Sequence, residues 1–153
     1  RPPLLISVVG DDPAGRALLD HMEACGLPTR GVLVEPSAAT PSVAAVFSAA
    51  GEVAACVADV GALEAHLRPG AVLPRFLDDI RGAAAVLLDG NLCAETIEAV
   101  AAAAASAGVP TFFEPVSVPK AVRARRCLPL VSFASPNGGE LVAMAGGGLG
   151  GAG

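Results

Sequence analysis

Acidic and amide side chains follow three short apolar runs, and their placement defines the chemistry this chain could carry. Asp89 and Asn91 follow residues 84–88, Glu114 follows 110–113, and Asn137 and Glu140 follow 130–134. In an open parallel sheet, ligands bind outside the carboxyl ends of the strands. Carboxylate and amide oxygens there suit sugar hydroxyls and hydrated magnesium, a hard cation that takes oxygen ligands and keeps several waters. The same residue types also gather at strand ends simply because they make turns. Asn137-Gly138-Gly139-Glu140 equally fits a helix-capping box, and Asp11 and Asp12 precede a helix start where an aspartate caps. At this level both kinds of reading stand.

Other reactive side chains are less organised. His21 and His66 are isolated, and Ser117, Ser135 and Cys93 have no histidine close in sequence, so a hydrolase nucleophile has no support. Cys25, Cys56, Cys93 and Cys127 lie more than 30 residues apart with no zinc-ligand spacing. They read as small buried hydrophobes in a reducing compartment, hence an intracellular protein, cytoplasmic or organellar. The Gly10 to Gly15 spacing mimics a phosphate-binding loop. Arg16 and Ala17 replace the required Lys and Ser/Thr, however, Asp11 and Asp12 would repel phosphate, and Pro13 removes a donor. The glycines at 146, 148 and 151 match a dinucleotide-binding pattern only because that stretch is nearly all glycine.

The elements that must position these groups can be read from periodicity and breakers. Residues 4–9 form an apolar strand, and Asp12 caps a helix that opens at Pro13, stops at Gly26 and carries Leu18, Met22 and Cys25 on one face. A second strand covers 31–35, and 42–47 with 53–58 form a hairpin turning through Gly51. Pro69 and Pro74 restrict helix to a turn or two at 75–81. Then come strands at 84–88, 110–113 and 130–134, alternating with helices at 94–107 and 120–127, and a closing helical turn at 137–144. That alternation predicts an α/β fold with a parallel sheet.

Composition sets the outer bounds. With 153 residues, 53% hydrophobic but 32 of them alanine, the chain suits one domain. Its longest apolar run, 99–105, is too short to span a bilayer. A net charge of −5, with Arg123, Arg125 and Arg126 as the sole basic cluster, argues against a nucleic-acid partner. The chain opens Arg1-Pro2-Pro3 without methionine and closes on the glycine-rich 146–153. The expectation is a fragment: a partial domain over 1–145, with a lid hairpin at about 40–59 and a disordered tail at 146–153.

Several ordered segments resemble the ribokinase-like (PfkB) carbohydrate kinases. Val9-Gly10-Asp11-Asp12 with Gly15 and Gly26 is similar to the stretch after that family's first sugar-binding signature. Thr40-Pro41 resembles the start of its lid strands, and Ser135-Pro136-Asn137-Gly138-Gly139-Glu140-Leu141 resembles its T-P-N-x-x-E-L segment. Three further pieces are most similar to the pseudouridine-kinase branch: Val57-Ala58-Asp59, Leu87-Leu88-Asp89-Gly90-Asn91-Leu92, and Phe113-Glu114-Pro115-Val116-Ser117-Val118-Pro119-Lys120.

The resemblance implies a three-layer sandwich with a small β lid, truncated at both ends. The reaction it implies is ATP- and Mg2+-dependent phosphorylation of the ribose 5′-hydroxyl of pseudouridine. Asn137 and Glu140 would then organise magnesium and phosphate, with Lys120 and Glu114 also on the phosphate side. Asn91, Thr40 and Asp89 would face a small nucleoside or sugar, and the lid could pair two copies as a homodimer. No catalytic residue is assigned, because the family's Gly-Ala-Gly-Asp segment has no counterpart: Gly151-Ala152-Gly153 lacks the aspartate. A non-catalytic remnant or interaction fragment, or a kinase for another nucleoside or sugar, remains the alternative.

Overall fold

A computed structural model of the chain describes residues 2–146. The described residues divide into two compact units, the first ending at Leu67 and the second beginning at Arg68. The expected tail at 146–153 lies, apart from Gly146, outside the described residues.

In the first unit, β1 (Ser7–Gly10) pairs in parallel with β2 (Val32–Glu35) through α1 (Pro13–Ala24). The capping signals act as expected. Asp12 accepts from the Gly15 N–H at 2.8 Å, Pro13 opens the helix, and Gly26 closes it in the left-handed region at φ 71°. The expected face differs. Gly15 is buried and Leu19 and Met22 are half-buried, whereas Leu18 is 49% exposed and Cys25 is exposed. Gly15 decides this: a Cβ there would meet the Gly10 carbonyl at 2.3 Å, so the backbones touch along that side. The antiparallel hairpin β3 (Ser42–Phe47) and β4 (Val53–Asp59) forms as read, with Gly51 at φ 81° in its turn. Every residue of both strands is exposed, Cys56 included, so two of the four cysteines are not buried hydrophobes. A short helix, α2 (Gly61–His66), follows.

The second unit opens with α3 (Pro69–Arg81), thirteen residues where only a turn or two was expected. Pro69 occupies the first turn, where its missing N–H costs nothing. Pro74 sits inside the helix, which typically costs about 3 kcal/mol. Val72, Phe76 and Ile80 lie one turn apart and are buried. At about 1.5–3 kcal/mol per buried side chain, that burial outweighs the proline.

The sheet that follows is parallel in the order β5 (Val86–Asp89), β6 (Thr111–Glu114), β7 (Phe133–Ala134). Between β5 and β6 runs α4 (Ala94–Ser106), packing Ile97, Val100, Ala101 and Ala104 inward; Gly108 ends it at φ 70°. The segment expected as one helix at 120–127 is α5 (Val118–Ala121) followed by a 3-10 turn, Val122–Ala124. β7 is shorter than read because Leu128–Leu130 forms another 3-10 turn around Pro129. The last element, α6 (Gly138–Met144), follows its cap at Asn137.

Candidate functional site

Parallel strands all point the same way, so their carboxyl ends share one edge. Asp89 stands opposite Glu114 in register, and Phe113 opposite Ala134, three residues before Asn137. The expected juxtaposition of Asp89, Glu114 and Asn137 along one sheet edge is therefore what the fold provides.

Three candidates form a connected chain there. The Asn91 side-chain amide donates to Asp89 Oδ2 at 2.8 Å, and the Asn91 backbone N–H donates to Asp89 Oδ1 at 2.9 Å. Lys120 Nζ donates to Asn91 Oδ1 at 2.5 Å. With its oxygen turned to an ammonium and its nitrogen to a carboxylate, the amide can face only one way. One amide N–H is left over to donate to a ligand oxygen.

The loop bearing Asn91 is held by a residue that sequence reading passed over. Arg123 Nη1 donates to the carbonyls of Gly90, Asn91 and Leu92 at 3.0, 3.3 and 3.0 Å. Arg125 donates from Nε to the Ala143 carbonyl at 2.7 Å, in the last turn of α6, where a cation meets the negative end of the helix dipole. These arginines look like a surface cluster in sequence, yet both hold backbone carbonyls. Only their tertiary partners distinguish the two cases.

The β6 loop is tightly constrained. Val116 lies at φ 69°, which a β-branched residue seldom adopts, and the Ser117 N–H donates to the Pro115 carbonyl at 2.8 Å across it. Together these make a three-residue γ-turn. It presses the Pro115 carbonyl against Gly90, where a Cβ would come within 2.3 Å. Glu114 accepts from the Val116 N–H at 3.3 Å and from the Ser135 hydroxyl. Strain of this kind gathers where a loop must hold a set shape for function.

Asn137 and Glu140 form the complete capping box. Glu140 N–H donates to Asn137 Oδ1 at 3.0 Å, Asn137 N–H donates to Glu140 Oε2 at 2.9 Å, and Glu140 is buried at 4% exposure. Each side chain thus already serves a backbone N–H. Hydrated magnesium would be reached through its own waters, which suits a cation that dehydrates reluctantly. The oxygen donors fit that ion chemically. Among the described residues, however, no group of three or more His, Cys, Asp or Glu is positioned as a metal cage, so phosphate oxygens would have to complete the shell.

Thr40 belongs to the first unit, where it is pinned to Asp12. Its hydroxyl donates to Asp12 Oδ1 at 2.7 Å and accepts from the Gly10 N–H at 3.0 Å, while its own N–H donates to Asp12 Oδ2 at 2.8 Å. Asp12 is therefore both helix cap and anchor of the segment entering the hairpin. Hydrogen bonds from the Gly15 backbone, then from the Thr40 backbone and hydroxyl, hold its carboxyl at about 2. A depressed carboxylate stabilises above its unfolded pKa, and that stabilisation is lost as pH falls through the folded one. The Thr40 anchor should accordingly be constant above about pH 4 and release between about pH 4 and 2. Thr40 amide exchange followed against pH checks this. Asp12→Asn should abolish the acid step, because an amide does not titrate there, and should loosen the anchor at every pH, because Nδ2 would meet one of the N–H groups from which the carboxylate now accepts.

A parallel sheet with acidic strand ends, helices packed on it, and a separate apolar hairpin define the ribokinase-like class. Ribokinase from Giardia lamblia superposes with a TM-score of 0.77 at 20% identity, covering 92% of this chain and 43% of that one. Arabidopsis thaliana ribokinase, solved with ribose and ATP, gives 0.72 at 21% identity, covering 95% and 46%. In sequence, residues 2–148 match the pfkB family carbohydrate kinases, and the chain belongs to that family. Among curated proteins, a pseudouridine kinase of Arabidopsis thaliana is 38% identical over 143 residues, 94% of this chain and 37% of the relative. The chain thus spans little more than a third of that relative and less than half of either ribokinase.

Proposed function

We propose that the chain is the central part of an ATP- and magnesium-dependent kinase acting on the ribose 5′-hydroxyl of pseudouridine. The observation that carries this is the Asp89–Asn91–Lys120 chain of hydrogen bonds at the strand ends, within a sequence 38% identical to a pseudouridine kinase. Asn91, its amide orientation fixed by Asp89 and Lys120, would donate to a sugar or base oxygen. In this role Lys120 positions Asn91, and Glu114 braces the neighbouring loop through Ser135. Asn137 and Glu140 would lie toward magnesium-bound water and phosphate. Bound magnesium supplies charge neutralisation, and phosphoryl transfer depends mainly on such neutralisation and on positioning.

The hairpin supports a lid role, with Thr40 at its root. Val43, Val46, Phe47, Val53 and Val57 are exposed across both of its faces. Such apolar faces would meet a second copy, giving a homodimer. Among the described residues no helix is long and apolar enough to cross a membrane.

Two measurements test this reading. The isolated chain should give no pseudouridine-dependent ATP turnover, since the Gly-Ala-Gly-Asp segment, which by the resemblance supplies the general base, has no counterpart in it, and such a base typically supplies about 10²–10⁴-fold. Turnover above a no-nucleoside control would mean that the catalytic group lies within residues 1–153. In a polypeptide extended to full family length, Glu140→Gln keeps a capping acceptor but loses the carboxylate charge. The magnesium concentration for half-maximal turnover should rise several-fold while the thermal midpoint stays near normal. An unchanged magnesium dependence would restrict Asn137 and Glu140 to capping.

A further inference from the structure

Glu35 ends β2 and stands opposite Gly10 in register, at the carboxyl edge of the β1–β2 pair. Its two carboxylate oxygens go different ways. Oε1 accepts from the Ser37 hydroxyl at 2.6 Å and from the Ser37 N–H at 3.1 Å. Oε2 lies 3.5 Å from His66 Nδ1, an ion pair whenever the imidazole carries its second proton. Ser37 belongs to the leg that enters the hairpin, and His66 ends α2, on the leg that leaves it. One carboxylate therefore spans the base of β3 and β4, through a histidine that looks isolated in sequence.

The two legs are held unequally. The entering leg has further ties: a Cβ on Gly10 would meet the Ala38 carbonyl at 2.4 Å, and Thr40 is bonded to Asp12. The leaving leg is α2, six residues of which none is buried, and Val60 before it gives no side-chain cap. A helix that short does not hold itself, so a tie made by its last side chain matters more. Glu35 and His66 are only 32% and 30% exposed, and charges so placed are screened less than those on the open surface. Hydrogen bonds from the Ser37 hydroxyl and N–H, and then the nearby His66, hold the Glu35 carboxyl below the usual carboxylate range, so it serves as an anion.

We infer that Glu35 is a positioning residue for the hairpin, and that its contact with His66 is the latch that fixes the leaving leg. This rests on the lid role proposed for β3 and β4. A lid that samples many orientations binds with an affinity reduced by the fraction of time spent in the competent one. Latching the leaving leg raises that fraction before any ligand arrives.

Residual dipolar couplings of the full chain test this, at about pH 6, where an ordinary imidazole is mostly protonated. In the wild type the couplings of β3 and β4 should fit the same alignment as those of β1 and β2. Glu35→Gln keeps an acceptor for Ser37 but loses the charge facing His66, and His66→Phe keeps a ring without the donor. Each should reduce the hairpin couplings at least twofold, with the couplings of β1 and β2 and the cross-strand pairing of the hairpin unchanged. Ser37→Ala should match the wild type, because Thr40 still holds the entering leg. Hairpin couplings already averaged in the wild type, or unchanged in either Glu35→Gln or His66→Phe, would overturn the latch. So would an equal reduction in Ser37→Ala, or a change that spreads to β1 and β2 as a general loss of structure. No substrate is present, so failure to phosphorylate pseudouridine would leave this result standing and would count only against the proposed activity.

Discussion

Gly90→Ala is expected to destabilise the unit formed by residues 68–146 by about 3 kcal/mol, the upper part of the usual range for overpacking. The new Cβ would lie 2.3 Å from the Pro115 carbonyl, a backbone atom and not the end of a movable side chain. That carbonyl cannot easily retreat, since it accepts from the Ser117 N–H across the γ-turn at Val116. On the other side of Gly90, its N–H donates to the Glu114 carbonyl at 2.8 Å and its own carbonyl accepts from Arg123. Neither loop has a low-energy way to part. Urea denaturation followed by circular dichroism reads the effect, and an unchanged midpoint would show that the two loops can separate freely. Val116→Gly should act in the opposite direction. It relieves a left-handed β-branched residue, worth about 1–3 kcal/mol, offset by roughly 0.5–1 kcal/mol of added chain entropy.

Arg123→Met should release the loop that carries Asn91. One guanidinium nitrogen serves three successive carbonyls, Gly90, Asn91 and Leu92. A hydrogen bond from a charged donor contributes about 1.5–3 kcal/mol. The donor here is only half-buried and shared between its acceptors, so a loss of about 2 kcal/mol in total is expected. Methionine keeps most of the apolar stem and removes the donors. Amide exchange at 90–92 should accelerate at least tenfold while α3 and α4 stay protected. Arg123→Lys should recover only part of this, because an ammonium is a point charge and cannot reproduce the planar fork. Exchange at 90–92 as slow as in the wild type would mean that the Asp89 contacts alone hold the loop.

What the residues alone determined was whatever depends on neighbours in the chain. The cap at Asp12, the stops at Gly26 and Gly108, the hairpin around Gly51 and the capping box at Asn137 and Glu140 are all local. Each is a hydrogen bond or a φ angle set within a few residues, and each forms as read. The alternation of apolar runs with helical segments after residue 84 likewise implied a parallel sheet, and hence one shared edge for Asp89, Glu114 and Asn137. The family could be reached by the same route, because its motifs are short ordered strings.

Tertiary structure decided whatever depends on groups distant in sequence. Pro74 inside α3 contradicts local propensity, and only the burial of Val72, Phe76 and Ile80 overrides it. Arg123 and Arg125 look like solvated charge until carbonyls some 18 to 33 residues away are placed beside them. Asp12 reads as a cap, and its second task, anchoring Thr40, spans 28 residues. Nothing local marks Gly90 as a packing position until Pro115 is pressed against it. Cys25 and Cys56 look like core residues but are exposed, because burial depends on which face finds a partner, and no periodicity within the chain records that. Local rules act through bonds fixed by sequence separation, whereas packing acts between surfaces whose meeting is known only once the whole sheet is assembled.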